Sequence, residues 1–258
     1  MLNFNKKEII SELQKFLKIY NKRPISNNKN GMKVNHMFAF FFILRKLKPN
    51  YVIESGVLRG QGTWLIEKAL PSTKIFSIDL DLSTRKYISK KVKYLNRDFK
   101  YFDEKIDPKK TLAFFDDHTC HLERIKQCKI FNIKEIIFED NYDVGEGDFN
   151  SLKLILKQKN FNHKISFLSH LKTLVIFTIE IIKKIFLSSY IIKLDKINFR
   201  LRDRINKKNN LFLKNIKQIY VFPKILSLIT NKRIKDKVIK DYPNEINSYN
   251  SLTYIKLK

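Results

Sequence analysis

Glycine is scarce in this chain: six of 258 residues, at positions 31, 56, 60, 62, 145 and 147. Two cysteines, Cys120 and Cys128, are too few for a disulfide scaffold. Uninterrupted apolar runs stay well short of the roughly 18 residues that would suggest a bilayer-spanning helix. The opening stretch MLNFNKKEIISELQKF reads as a polar amphipathic helix, so no signal peptide is expected. Acidic residues are also short, 25 against 52 Lys and Arg, for a formal net charge of +27. Hydrophobic residues still make up 43% of the chain, which excludes a wholly disordered one.

The positive excess is a weak guide to partners. Ten of the 52 basic residues are Arg, and the rest are Lys, a solvated point charge unlike the Arg forks used in base readout. It is also uneven: residues 1–150 carry 28 basic and 19 acidic groups, residues 151–258 carry 24 and 6. The composition therefore changes near residue 150. Five of the six glycines sit in two short segments, 56–62 and 145–147, where the backbone is expected to need a positive φ or a close approach.

Strand and helix patterns alternate up to that boundary. Residues 34–47 read as a buried helix, and 51–55, 74–80, 92–99, 111–117 and 134–141 as strands. Helices are expected over 62–70, 83–91 and 121–131, and again over 151–159. Residues 217–225 and 251–258 look like late strands separated by a Lys-rich helix. This is the pattern of an α/β fold with a doubly wound, mainly parallel sheet. Its expected division is an N-terminal helical segment (1–33), a cofactor-binding core (34–160), a basic amphipathic helical insertion or cap (161–215), and last strands completing the sheet (216–258).

Two constellations carry chemistry. The first is Glu54-Ser55-Gly56-Val57-Leu58-Arg59-Gly60-Gln61-Gly62-Thr63 between a strand and a helix, with Asp79 ending the next strand, 23 residues after Gly56. A glycine turn lets backbone approach a ligand at a helix N-terminus, and an acid at the second strand end can accept the hydroxyls of a ribose. Asp81 competes for that role, or caps the next helix. The second joins FFDDH (114–118) to FEDNYDVGEGD (138–148), so that two strand ends deliver Asp116, Asp117, Glu139, Asp140 and Asn141. These are oxygen ligands suited to a hard cation such as Mg2+. Either acid of each pair could serve, and adjacent acids also cap helices or pair with lysines.

VIESGVLRGQGTWLIE followed by IFSIDLD resembles the first motifs of class I S-adenosylmethionine-dependent methyltransferases. The resemblance implies a Rossmann-like methyltransferase fold and a cofactor site with Glu54, Gly56, Gly60, Gly62 and Thr63 on its methionine side. Asp79 would lie on the ribose and Asp98 near the adenine. Gly62 stands where many relatives have Ser or Thr, a role the adjacent Thr63 could partly take. The second constellation is similar to that of cation-dependent O-methyltransferases of the catechol and caffeoyl-CoA type. It implies Asp117, Asp140 and Asn141 as metal ligands, with Gly145 in the following turn. The Lys of those enzymes has no counterpart here, so His118 or His121 would act as the base, beside Asp117. Cephalosporin-hydroxylase-like and rhamnosyl O-methyltransferase-like proteins, and an uncharacterised methyltransferase-like group, resemble the chain in the same strings.

The expected activity is methyl transfer from S-adenosylmethionine to a small-molecule or saccharide hydroxyl with help from a divalent cation. A hydroxylase-like relative and a non-catalytic basic membrane- or polyanion-binding protein are the alternatives. Residues 165–194 carry Ser166, Thr173, Glu180, Lys184 and Ser188 between long apolar residues, and Arg200, Arg202 and Arg204 come after them. That segment reads first as a cap on the substrate side. The sharper reading is that 165–210 docks on an anionic membrane surface. No specific nucleic acid is expected, and the location is expected to be cytoplasmic, including association with the membrane from that side. Trp64 is expected in the core, and Arg124 to pair with Asp116 or Asp117 or to bind an acidic substrate.

Overall fold

Apolar residues on consecutive positions of Val34–Leu47 can all be satisfied only inside the protein, and there the helix lies. The structure, a computed structural model, describes residues 5–142, 151–153, 155, 156 and 213–258. Val34 through Leu44 are buried without a break, as expected of a helix that is hydrophobic all round. Its two buried polar residues are held by the C-terminal region. Asn35 Nδ2 donates to the Ile246 carbonyl at 2.7 Å, its Oδ1 accepts from the Ile225 N–H at 2.8 Å, and His36 Nε2 accepts from the Asn250 N–H at 3.0 Å.

In chain order the elements are α1 (Lys6–Tyr20), α2 (Val34–Leu47), β1 (Tyr51–Ser55), α3 (Gln61–Ala69), β2 (Lys74–Asp79), β3 (Val92–Asn96) and β4 (Thr111–Phe115). Next come α4 (His121–Ile130), β5 (Glu135–Phe138), β6 (Ile216–Val221), α5 (Ile225–Leu228), α6 (Lys232–Asp241) and β7 (Thr253–Leu257). The strands form one seven-stranded sheet in the order β3-β2-β1-β4-β5-β7-β6. Neighbours from β3 to β5 are parallel, and β7 runs antiparallel to both β5 and β6. The strand order reverses between β1 and β4, so their carboxyl ends flank the crevice where open α/β sheets bind ligands. The expected doubly wound, mainly parallel sheet is present.

Both faces are covered. One apolar cluster joins α1, α2 and α3 with Leu112, Phe114 and Ile137 of the sheet, and α5 and α6 add Ile225 and Val238 to it. On the other face Ala113, Phe115, Ile136 and Phe138 meet Leu122, Ile125 and Cys128 of α4. Trp64 is core, as expected, and Cys120 and Cys128 are unbridged.

The expected helix over 83–91 is absent. Asp81 Oδ1 accepts the Ser83 N–H at 2.8 Å, and Arg85 Nε donates to the Leu82 carbonyl at 2.6 Å. The N–H groups of Lys86 and Tyr87 both donate to the Arg59 carbonyl at 3.0 Å. Local side-chain bonds and a tether to the glycine loop thus replace the helical ladder.

Of the 151–159 helix, residues 152, 153, 155 and 156 are helical as expected. The expected insertion over 161–215 lies outside the described residues except for its last three positions, and the 165–210 membrane segment, Gly145 and Gly147 lie outside them altogether. Among the described residues, no helix is long and apolar enough to cross a membrane.

Candidate functional site

The loop from Gly56 to Gly60 turns β1 into α3 at the reversal point. Gly56 has φ 97°, and a Cβ there would collide with the Asp116 carbonyl at the end of β4. Gly60 has φ 86°, and a Cβ would lie 2.6 Å from the Tyr87 carbonyl oxygen. Both glycines are therefore required by the protein's own backbone. Asp79, ending β2, fixes the loop's shape: Oδ2 accepts the N–H groups of Val57 at 2.7 Å and Leu58 at 3.2 Å, and Oδ1 accepts that of Asp81 at 3.1 Å. A ribose would share these oxygens, each of which can accept more than one hydrogen bond.

Above the loop opens a cleft of about 380 Å³, walled by Gly56, Leu58, Asp79, Asp98, Asp116 and His118, within the usual range for a small-molecule site. Its far wall is an ion-pair system built on Arg124. This guanidinium, only 2% exposed, is held bidentately by Asp98 at 2.9 and 3.1 Å and by Asp117 Oδ2 at 2.8 Å. Asp117 Oδ2 also accepts the Ser55 hydroxyl at 2.5 Å, and Oδ1 the Thr119 N–H at 3.2 Å. Burial would raise the Asp98 carboxyl, but Arg124 and the Lys100 N–H outweigh it and hold it below the usual range. Asp98, expected near an adenine, thus faces Arg124.

The expected metal ligands have different surroundings. Asp117 belongs to Arg124, while Asp116 gathers with His118 and Asp140, one ligand atom of each lying within 4.8 Å of the others. His36, Glu139 and Asp140 form a second such group. Asn141 is buried with its side chain in use: Nδ2 donates to Thr253 Oγ1 at 2.7 Å, and Oδ1 accepts the Lys153 N–H at 2.7 Å. It ties β5 to β7. Among the described residues the fold thus gathers Asp116, His118 and Asp140, with Glu139 behind, while the expected ligands Asp117 and Asn141 already have protein partners.

The electrostatics of this set are those of crowded carboxylates. Burial, with the charges of Asp140, Glu54 and Asp117, raises the Asp116 carboxyl well above its usual range. Burial, with Asp116 and Asp140, does the same to Glu139. Burial also pushes Asp140 up, but hydrogen bonds from Glu139, Tyr142 (2.7 Å) and Asn250 (3.1 Å) prevail and hold it below. Like charges at this range favour either protons or a shared cation.

The two candidate bases differ. His118 is exposed on the cleft wall, with φ 53°. His121 is 3% exposed and stacks on Phe138 with ring centroids 3.9 Å apart, and its Nδ1 accepts the Leu152 N–H at 2.9 Å. Burial pushes it down to about 3, so it stays neutral and is a poor base at neutral pH. Burial likewise lowers His36 to about 4.

On the inner side of the loop, Glu54 is 1% exposed and Thr63 fully buried. Glu54 Oε2 accepts the hydroxyls of Thr63 at 2.5 Å and Ser77 at 2.6 Å. A Cβ at Gly62 would collide with Glu54 Oε1. Thr63 is therefore occupied in holding Glu54. Burial raises the Glu54 carboxyl to about 7 against the pull of these hydroxyls. Sequence reasoning missed Asn28 and Gln61, which line a small cavity with Glu54 and Gly62. The available signal was a polar residue opening the helix directly after Gly60.

No protein-family profile matches the chain, and no curated protein matches it. Among solved structures it is similar to the S-adenosylhomocysteine-bound methyltransferase PaMTH1 of Podospora anserina, at 12% identity over 97% of this chain and 88% of that one, TM-score 0.43. It is also similar to the Bacillus cereus O-methyltransferase in complex with S-adenosylhomocysteine, at 8% identity over 99% and 92%, TM-score 0.42. A third likeness, cmcI-N160 with the same ligand, has 17% identity over 43% of this chain, TM-score 0.37, and the chain spans 62% of that protein's length. At these identities the functional reading rests on the cleft itself.

Proposed function

We propose that the protein is an S-adenosylmethionine-dependent O-methyltransferase that acts on a small-molecule or saccharide hydroxyl with a divalent cation. The observation that carries this reading is that the cleft at the β1/β4 reversal shares Asp116 and His118 with the donor set completed by Asp140. A cleft open to a nucleoside and a group of carboxylates that could hold a cation would therefore meet at one wall.

When bound, the cofactor supplies an electrophilic methyl group, and the cation supplies Lewis acidity that makes a hydroxyl easier to deprotonate. Asp79 would accept from the ribose while still holding the Val57 and Leu58 N–H groups. Asp116 and Asp140 would hold the cation. His118, with a ring nitrogen within 4.8 Å of both carboxylates, would stay off the cation and take the acceptor's proton. Asp117, expected as a ligand, here pairs with Arg124 on the cleft's far wall. Orientation of acceptor against methyl donor would supply much of the rate.

The test is transfer of a labelled methyl group from S-adenosylmethionine to a panel of catechol, phenol and saccharide hydroxyls, with and without a chelator. The reading expects transfer that the chelator stops and Mg2+ or Mn2+ restores, and that Asp140→Asn abolishes. Transfer untouched by the chelator would remove the cation from it.

A further inference from the structure

The segment between α6 and β7 crosses the amino-terminal half of α2 as a strap, tied to that helix at several points. Glu245 Oε2 accepts the Val34 N–H at 3.1 Å, and the Ile246 carbonyl accepts from Asn35 Nδ2 at 2.7 Å. The Tyr249 ring centroid lies 4.7 Å from that of His36. The Tyr249 hydroxyl donates to the Phe222 carbonyl, just past β6. After Asn250 the chain turns toward β7 through Ser251, at φ 62°. A serine keeps that left-handed bend only where its surroundings over-determine it.

Asn250 makes three hydrogen bonds that converge on the end of β5. Its N–H donates to His36 Nε2 at 3.0 Å, and that ring nitrogen lies 3.4 Å from Glu139 Oε1. Its carbonyl accepts the Asn141 N–H at 2.9 Å. Its side chain, 110 residues along the chain from Asp140, donates through Nδ2 to Asp140 Oδ1 at 3.1 Å. An ionised carboxylate only accepts, so the amide must present its nitrogen there. Asp140 Oδ2 takes the Tyr142 hydroxyl at 2.7 Å. Each oxygen of Asp140 thus holds one donor and keeps room for a further bond, and the plane of the carboxylate is set before any cation arrives. We propose that Asn250 is a positioning residue that holds the Asp140 carboxylate in a cation-binding orientation. The proposal rests on the reading of Asp140 as a cation ligand, and it extends that site to the strap before β7, where no strand-end motif marks it.

The experiment is calorimetric titration of the full chain, without cofactor, with Mn2+ alone. The wild type is expected to bind the ion. Asn250→Ala keeps the backbone N–H and carbonyl and removes only the amide, and it is expected to bind Mn2+ about 10- to 100-fold more weakly. Asn250→Leu, which fills the space without supplying a donor, is expected to match it, so that if one variant does not fold the other decides. Tyr249→Phe is the control for a merely structural effect. It removes the strap's bond to the Phe222 carbonyl and leaves Asp140 untouched. Its melting temperature is expected to fall, with Mn2+ affinity staying within about twofold of the wild type.

Wild-type Mn2+ affinity in a folded Asn250→Ala or Asn250→Leu chain, or equal weakening by Tyr249→Phe, would overturn the role of Asn250 and leave the cation site standing. A folded wild-type chain that binds no Mn2+ would overturn the cation reading and the positioning role with it.

Discussion

Replacing Glu54 by Gln should make the protein more stable at alkaline pH than at acidic pH, relative to the wild type. Glu54 is 1% exposed and titrates near 7 in the folded chain, raised from 4.5 by burial. Between those values the folded state holds a proton that the unfolded chain releases. The stabilisation tied to this proton is complete below the unfolded value and is lost as the pH climbs through the folded one. The loss amounts to about 3 kcal/mol, at ~1.4 kcal/mol per pKa unit. The amide introduced by Glu54→Gln would still accept from Thr63 and Ser77 without a charge to desolvate. For a chain of this size, about 3 kcal/mol corresponds to roughly 6–12 °C in Tm. Melting curves of both proteins from about pH 5 to pH 8 should show the variant gaining that much on the wild type, nearly all of it between the two titration points. A Tm difference that stays constant across this range would rule this out, because it would mean that Glu54 is already ionised at pH 5 or is open to water.

The same geometry sets the outcome of other perturbations. Gly56→Ala puts a methyl group against the Asp116 carbonyl at φ 97°. It should lower stability by roughly 1–3 kcal/mol in denaturant titrations and weaken S-adenosylhomocysteine binding by distorting the floor of the cleft. Arg124→Met strands Asp98 and Asp117 without their counter-ion; a loss of about 3–5 kcal/mol is expected from urea unfolding near neutral pH, shrinking as the carboxyls are protonated in acid. His118→Ala should abolish methyl transfer while leaving Tm nearly unchanged, because the side chain is exposed. His121→Phe should show the reverse, since this neutral ring holds the Leu152 N–H and stacks on Phe138.

Much of the fold was legible in the sequence because its signals are local. Tyr51–Ser55 and Val34–Leu47 were bounded by Gly56 and Pro49, and the structure begins and ends them at the expected residues. The 83–91 helix failed for a non-local reason: the Arg59 carbonyl, more than twenty residues earlier, takes the N–H groups of Lys86 and Tyr87. The different surroundings of Asp116 and Asp117 were hidden for a related one. A parallel strand covered on both faces is apolar at every position, as TLAFF is, so it carries no alternation to reveal its phase. In the structure Phe114 belongs to the cluster on the α2 face and Phe115 to the one on the α4 face. Two residues on, Asp116 joins Asp140 and Asp117 turns to Arg124 of α4. Asn141 was read as a ligand from its place at a strand end, where its partners Lys153 and Thr253, 12 and 112 residues along the chain, could not be seen. The 56–62 glycine cluster marks the loop beside the cleft, although Gly56 and Gly60 are required there by the protein's own backbone.

Every functional step proposed for this chain depends on the crevice between β1 and β4 being a nucleoside cofactor site, which titration calorimetry with S-adenosylhomocysteine can decide. One molecule should bind per chain with a Kd in the micromolar range, about −8 kcal/mol. That binding should be lost in Gly60→Asp, which sets a carboxylate against the Tyr87 carbonyl and the loop that Asp79 holds. A folded wild-type chain that releases no heat of binding with S-adenosylhomocysteine or S-adenosylmethionine at millimolar concentration, or a Gly60→Asp chain that binds as the wild type does, would contradict it.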